Sequence, residues 1–230
     1  MKVVEYLIVV VLSLFSVFGV IAQTQVGPAP ILRTLHKKEI ERYSVVMDWE
    51  GDMGKAHYEF ELKLLGELSD DKSPYEKVSA TFGHLKASYD GRAAPQTKNF
   101  GSAAFRLNPT GFPEGLAIAG ANSTFVLPIL SWYVPKEPVA ADSTFQIADT
   151  EFEGNVHVSG SGTYAKGRGQ DCTIKLDLSI QTSEKISEAQ TGPSGFTSTA
   201  RINLKTGAVR SSEGEITIPS GRITFRLRRS

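Results

Sequence analysis

Apolar and polar residues alternate with a period of two along most of this chain. In the stretch CTIKLDLSIQ, residues 172–181, every second side chain is apolar and the intervening ones are polar. The same alternation runs through residues 199–205 and 222–228, and upstream through residues 43–50 and 58–64. Because successive side chains of a strand point to opposite faces, the pattern predicts half-buried antiparallel strands.

Turn-forming residues separate these runs. Examples are SDDKSP at 69–74, YDGR at 89–92 and KTG at 205–207. The best helical candidate, ILRTLHKKEIERY at 31–43, has irregular apolar spacing and is equally compatible with extended chain. The sequence therefore predicts an all-β fold of antiparallel sheets with little helix, arranged as a sandwich or as a strongly curved half-barrel.

Two prolines interrupt the alternation near the middle of the chain. Pro135 and Pro138 each fix φ and lack a backbone donor, so residues 135–138 are unsuited to a central strand. A strand-like run begins again at Thr144. We expect this segment to join an N-terminal β half, residues 23–134, to a C-terminal β half, residues 135–230.

The stretch PKEPVAADSTF is similar to the joint of a family of exported bacterial β-rich domains of unknown function. That family has a proline, two residues and proline-valine, followed by glycine-aspartate and tryptophan. The matching residues here are Pro135, Pro138 and Val139, and the replaced ones are Asp142, Ser143 and Phe145. INLKTGAV resembles a later strand-turn element, with Thr206 and Gly207 in place and Asn203 at a usual aspartate. The resemblance is confined to the C-terminal half and implies export and a β fold, without an activity.

The first 22 residues have the features of a signal peptide. Lys2 precedes an apolar run from Tyr6 to Ile21, and small or β-branched residues lead to Ala22 before polar QTQ. The alternative is an uncleaved membrane anchor, but the run is near the lower limit of roughly 17 residues for a membrane span. We expect cleavage after Ala22 and export to a periplasm or to the cell exterior.

The charge balance restricts the ligands that the protein can bind, and the cysteine content restricts how its fold is stabilised. The chain has 25 basic and 25 acidic residues, and the predicted cleavage removes one of each, Lys2 and Glu5. This neutral balance argues against a general nucleic-acid binder, whose affinity depends on excess positive charge. The single cysteine, Cys172, excludes an internal disulfide, so the fold must depend on its hydrophobic core.

No motif predicts a catalytic, cofactor or metal site. Ser69 to Lys72 fits S-x-x-K and residues 205–207 fit K-T-G, but Pro74 opposes the helix that the serine chemistry needs. The sequence lacks G-x-S-x-G and a phosphate-binding loop. The four histidines are too far apart in sequence to match a metal-binding motif. They are His36, His57, His84 and His157.

Two rows of acidic residues leave a hydrolase open as an alternative. The first lies at alternate positions in MDWEGD, and the second follows residue 148. Both rows are typical of the solvent-exposed face of a strand, but a pair of carboxylates could also catalyse glycoside hydrolysis. The residues are Asp48, Glu50 and Asp52, and Asp149, Glu151 and Glu153.

An apolar segment before the proline joint does not alternate. FVLPILSWYVP at 125–135 is either a strand buried on both faces or the wall of a groove for an apolar ligand. The candidate wall residues are Phe125, Leu127, Leu130, Trp132 and Tyr133.

The last strand presents a row of arginines. Arg222, Arg226 and Arg228 share the polar face of RITFRLR, with Arg229 beyond them. Such a row either faces acidic neighbours across the ladder or binds an anionic lipid or glycan.

These patterns predict an exported, non-catalytic β-rich binding or envelope module. Its partner is unspecified, either a hydrophobic ligand or an anionic envelope component. The alternatives are a carrier of lipid or other hydrophobic molecules and a hydrolase that uses the acidic residues.

Overall fold

The protein is built from antiparallel strands, as the alternation predicts. The computed structural model describes residues 40–52, 54–66, 76–95, 97–107, 111, 113–114, 128, 133–135, 139–152, 156–167, 169–182 and 194–230. Residues 1–22, the predicted signal peptide, lie outside these residues. The described chain contains no α-helix, and therefore none that is long and apolar enough to span a membrane.

Within the described residues, twelve strands form one sheet. They are β1 (Ile40–Gly51), β2 (Gly54–Gly66), β3 (Glu76–Tyr89), β4 (Arg92–Ala93), β5 (Thr97–Leu107), β6 (Pro113–Glu114), β7 (Ser143–Phe152), β8 (Val156–Lys166), β9 (Asp171–Thr182), β10 (Ser194–Asn203), β11 (Val209–Ile218) and β12 (Gly221–Arg229).

The sheet consists of two meanders joined through its middle. Its order is β6-β5-β3-β2-β1-β12-β11-β10-β9-β8-β7, and β4 adds to β3. The first meander therefore runs outward from β1 to β6, and the second runs inward from β7 to β12. In the described chain β6 and β7 are the two ends of this order, so the sheet is not closed into a barrel. The all-β antiparallel prediction is confirmed.

One face of the sheet, which we call the inner face, carries the hydrophobic core. Cys172, Ile174, Leu176, Leu178 and Ile180 of β9 are all buried, while Lys175 and Asp177 between them are exposed. Both meanders contribute to a single cluster of buried side chains. The polar side chains lie on the opposite face, which we call the outer face. Burial raises the pKa of the Cys172 thiol to about 11, so this thiol is protonated at neutral pH.

The connection before β7 adds to this core. Val134 is buried within the hydrophobic cluster, and Pro128 is also buried. The ring of Tyr133 stacks on Phe145 of β7 with centroids 5.9 Å apart. The other candidate wall residues, Phe125, Leu127, Leu130 and Trp132, lie outside the described residues, as does Pro138.

Glycines on the inner face make room for aromatic rings from neighbouring strands. Gly162 pairs with Phe145, and Gly214 pairs with Phe225. A Cβ on Gly214 would lie 2.2 Å from the carbonyl oxygen of Thr197 and 2.8 Å from the Phe225 ring. The rings therefore occupy the space that a side chain at each glycine would need.

A buried ion pair lies where the two meanders meet. Glu41 of β1 is 2% exposed, and its carboxylate accepts a hydrogen bond of 2.7 Å from the hydroxyl of Tyr43. Arg229 of β12 places Nη1 3.4 Å from Glu41 Oε1. Arg229 thus lies on the inner side of the sheet and differs in role from the exposed arginines that precede it in the same strand.

Replacing Gly214 by Ala should destabilise the fold. The new Cβ collides with backbone as well as with the Phe225 ring, and such overpacking typically costs about 1–3 kcal/mol. Gly195→Ala is the matched control, because among the described residues its Cβ would meet only Thr217, 3.9 Å away. Chemical denaturation of both variants measures the difference. Equal stabilities for the two variants would contradict the close ring-over-glycine packing.

Replacing Arg229 by Met should also lower stability, because it removes a cation from beside the buried Glu41 carboxylate. Breaking a buried pair typically costs about 3–5 kcal/mol, and the partial exposure of Arg229 favours the lower end. Arg228→Met, one residue earlier and exposed, should have little effect on the free energy of unfolding. Adding Glu41→Gln to Arg229→Met should recover stability, and failure to do so would show that the buried charge is not the cause.

Candidate functional site

The outer face of the second meander brings three arginines together. Arg228 pairs in register with Ser211 of β11, and Ser211 pairs with Arg201 of β10. In the next row Arg226 pairs with Glu213. Because alternate residues of a strand share a face, these side chains lie on one surface, at about 4.8 Å per strand.

These side chains line a shallow concavity of about 180 Å³, which we call the arginine groove. Three arginines and one carboxylate face it, together with several hydroxyl groups. Its outer-face residues are Thr173, Thr199, Arg201, Ser211, Glu213, Arg226 and Arg228. A wider concavity of about 590 Å³ adjoins it and shares Thr199, Glu213 and Arg226.

Two of the groove arginines have no carboxylate partner. Within the described chain, Arg226 and Arg228 take part in no ion pair within 4.0 Å. Arg201 is paired, with its Nη2 2.7 Å from Oδ2 of Asp171. The groove therefore retains positive charge that its own side chains do not neutralise.

Arg222 differs from the other members of the predicted arginine row. It lies on the same face but is 3.8 Å from a carboxylate oxygen of Glu50 and 3.6 Å from one of Glu215. Arg222 therefore contacts acidic neighbours across the ladder. The predicted row divides into one paired arginine and two arginines that face the groove.

The groove has the chemistry of a site for an anion with hydroxyl-bearing neighbours. A guanidinium donates in a planar fork that matches the two oxygens of a carboxylate, sulfate or phosphate. Thr199 and Ser211 supply hydroxyls that both donate and accept hydrogen bonds. Glu213 adds one acceptor for a ligand hydroxyl. Anion binding at Arg222, Arg226 and Arg228 stays a prediction.

A second group of charges lies where β1, β2 and β3 adjoin. His57 Nδ1 is 2.6 Å from Asp48 Oδ1, and Nε2 is 3.5 Å from Glu59 Oε1. Lys86 Nζ donates to Glu59 over 3.3 Å. The hydrogen bond to Lys86, followed by that to His57, lowers the pKa of the Glu59 carboxyl.

Three of the acidic residues considered for a hydrolase are engaged in such pairs. Asp48 contacts His57, and Glu50 lies 2.6 Å from Lys55. Asp149 contacts His157 at 3.2 Å. Glu153 lies outside the described residues. Within the described chain, no group of His, Cys, Asp and Glu has the arrangement of a metal site.

The K-T-G sequence forms a turn. Asn203 Oδ1 accepts hydrogen bonds from the backbone nitrogens of Lys205 and Thr206, and Gly207 has φ of 65°. This is a side-chain-capped turn between β10 and β11. Ser69 and Lys72, which would complete the serine motif, lie outside the described residues.

The predicted arginine row includes Arg226 and Arg228 of the groove but not Arg201. The alternation placed Arg201 on the polar face of its own strand, but the pairing of β10 with β11 and of β11 with β12 brings it beside Arg228. The short turns around residues 205–207 and 219–220 are the sequence signal that these strands are neighbours.

No protein-family model and no curated protein sequence matches the chain. Among solved structures, Rv2717c from M. tuberculosis is similar at 10% identity, over 87% of this chain and 93% of that one, with a TM-score of 0.40. DynF from the dynemicin biosynthesis pathway of Micromonospora chersina shows 7% identity, coverage of 93% and 92%, and a TM-score of 0.24. An outer membrane lipoprotein-sorting protein domain from Vibrio parahaemolyticus shows 10% identity, coverage of 83% for both chains, and a TM-score of 0.23. With TM-scores below 0.5, these likenesses assign no function.

The His57 cluster should make stability depend on pH. The hydrogen bond with Asp48 is the largest influence and raises the pKa of His57 above 6.5; burial opposes it and Glu59 reinforces it. A raised folded-state pKa gives stabilisation that is complete below the ordinary pKa and is lost as pH rises through the raised one. His57→Gln should therefore lower the thermal midpoint near pH 5.5 by roughly 1–2 °C, a small effect because the side chain is exposed.

The same substitution should change the midpoint less at about pH 8.5, because the stabilisation is lost as pH rises through the raised pKa of His57. Asp48→Asn should remove most of the difference between the two pH values, because it deletes the principal partner. A His57→Gln effect of the same size at both pH values would contradict this account.

Proposed function

We propose that this protein is an exported, non-catalytic binding module that holds an anionic glycan on the outer face of its sheet. The observation that carries the proposal is the arginine groove, where Arg226 and Arg228 have no ion pair within the described chain and converge with Arg201. Export rests on the signal-peptide features of residues 1–22.

The lining of the groove favours a glycan over a lipid surface. Proteins that lie on membranes usually insert exposed apolar side chains beside their basic residues. In the described part of the chain the exposed large hydrophobic residues are Ile40 and Tyr89, and neither lines the groove. Hydroxyls from Thr173, Thr199 and Ser211 lie there instead, and they suit a ligand rich in hydroxyl groups.

The described residues do not favour a carrier of hydrophobic molecules or a hydrolase over a glycan-binding module. Val134, next to the candidate apolar wall, is 1% exposed and belongs to the core cluster, as expected if that segment fills the core. The carboxylates Asp48 and Glu50 are held by basic partners.

Replacing Arg226 by Gln should weaken the binding of a heparin dodecasaccharide about tenfold. A hydrogen bond to a charged group contributes about 1.5–3 kcal/mol, and about 1.4 kcal/mol corresponds to a factor of ten. Isothermal titration calorimetry measures the dissociation constant, and uncharged dextran tests whether the ligand's charge is required.

Arg222→Gln is the matched control, since it removes the same charge from the same strand and face but from a site already paired with Glu50 and Glu215. It should change the dissociation constant little. Equal losses in the two variants would indicate general charge attraction without a site, and unchanged binding in Arg226→Gln would reject the groove.

A further inference from the structure

A second basic concavity lies on the outer face of the first meander. It measures about 600 Å³, and among the described residues Arg42, Lys63 and His84 line it around one carboxylate, Glu61. Hydroxyls of Thr81 and Ser102 complete its polar lining. It therefore repeats the composition of the arginine groove, with several cations, one acid and hydroxyl groups.

Lys63 has no carboxylate partner within the described chain. Glu61 is already engaged, because Arg42 Nη1 lies 2.7 Å from its Oε1 and His84 Nε2 lies 3.9 Å from its Oε2. The concavity consequently presents unneutralised positive charge to solvent.

His84 is held in a backbone conformation that glycine would adopt at less cost. Its φ is 55°, and it lies where the pairing of β2 with β3 shifts register between Glu59 and Glu61. A bulge of this kind changes the direction of a side chain, and such strain is concentrated at functional sites. Here the side chain is 75% exposed and lines the concavity.

The two concavities lie at the same level of the sheet. Arg228 pairs with Ser44, Ser44 with Glu61, and Glu61 with Gly83. Three strand spacings separate Arg228 from Gly83, or about 14 Å. Ser44, between them, is exposed and small, so it leaves the path across the strands open.

We infer that the ligand is a linear polyanionic glycan that crosses the strands and occupies both concavities, with Lys63 and His84 forming the second subsite. This inference rests on the proposed function and adds that the ligand is a polymer. A second subsite on the same chain raises affinity by making the second contact intramolecular, provided that the ligand spans both sites.

The test compares ligand lengths. A heparin disaccharide, too short to bridge the two concavities, and a heparin dodecasaccharide are titrated against the full chain by NMR and calorimetry. Lys63→Gln should weaken dodecasaccharide binding on the order of fivefold and leave disaccharide binding at the arginine groove unchanged, because only the long ligand engages both subsites at once. Lys77→Gln, which removes an exposed lysine of β3 outside the concavity, should affect neither ligand.

His84→Gly provides a second variant that should fold well, since it relieves the strained backbone. It should raise the midpoint of thermal unfolding and weaken dodecasaccharide binding. If neither Lys63→Gln nor His84→Gly weakens that binding, or if both weaken disaccharide binding equally, the second subsite is rejected.

The proposed function fails in a different way. In that case Arg226→Gln leaves the binding of both oligosaccharides unchanged. Association with phosphatidylglycerol vesicles, with no binding of either oligosaccharide, would replace the glycan by a lipid surface and would overturn both proposals. Oligogalacturonate of matched length carries carboxylates in place of sulfates and so tests which anion the protein recognises. If it binds the wild type more tightly than Lys63→Gln, it also supports a ligand that occupies both subsites.

Discussion

The pairing of β1 with β12 is the interaction on which the rest of the structure depends. Each meander is made of neighbours in sequence, and among the described strands only this pairing joins them into one sheet with one core. It runs over nine residue pairs, from Tyr43–Arg229 to Gly51–Gly221. At one end of the pairing, the Arg229 guanidinium lies beside the buried Glu41 carboxylate. This charge interaction depends on the β1–β12 register.

The same pairing determines the geometry of the outer face. The arginine groove belongs to the second meander and the concavity around Lys63 to the first, so their alignment depends on the β1–β12 register. A slip of one residue would move Arg226 and Arg228 to the inner face and Phe225 to solvent. The hydrophobic core and the basic surface are therefore specified by one set of backbone hydrogen bonds.

Local pattern predicted the strands but not their long-range partners. The alternation in residues 172–181 and 222–228 identified β9 and β12 and assigned their buried faces. Apolar residues at every second position indicate a strand with one buried face. The start of β7 just after the proline segment was also confirmed. Arg229 was different: its contact with Glu41 depends on a pairing between strands distant in sequence, which alternation does not encode. The pairing of Arg201 with Ser211, and of Ser211 with Arg228, is likewise a property of register.

The strand order also has a consequence for how the chain acquires its structure. The two strands at the centre of the sheet are the first and the last of the described strands, so the most interior contacts have the greatest sequence separation. During synthesis from the N-terminus, β1 remains with one edge unpaired until β12 has emerged, and high contact order of this kind slows folding. The completed sheet therefore forms only after synthesis has reached β12. Until then the chain lacks its central strand pairing, and the unpaired edge of β1 stays exposed for longer.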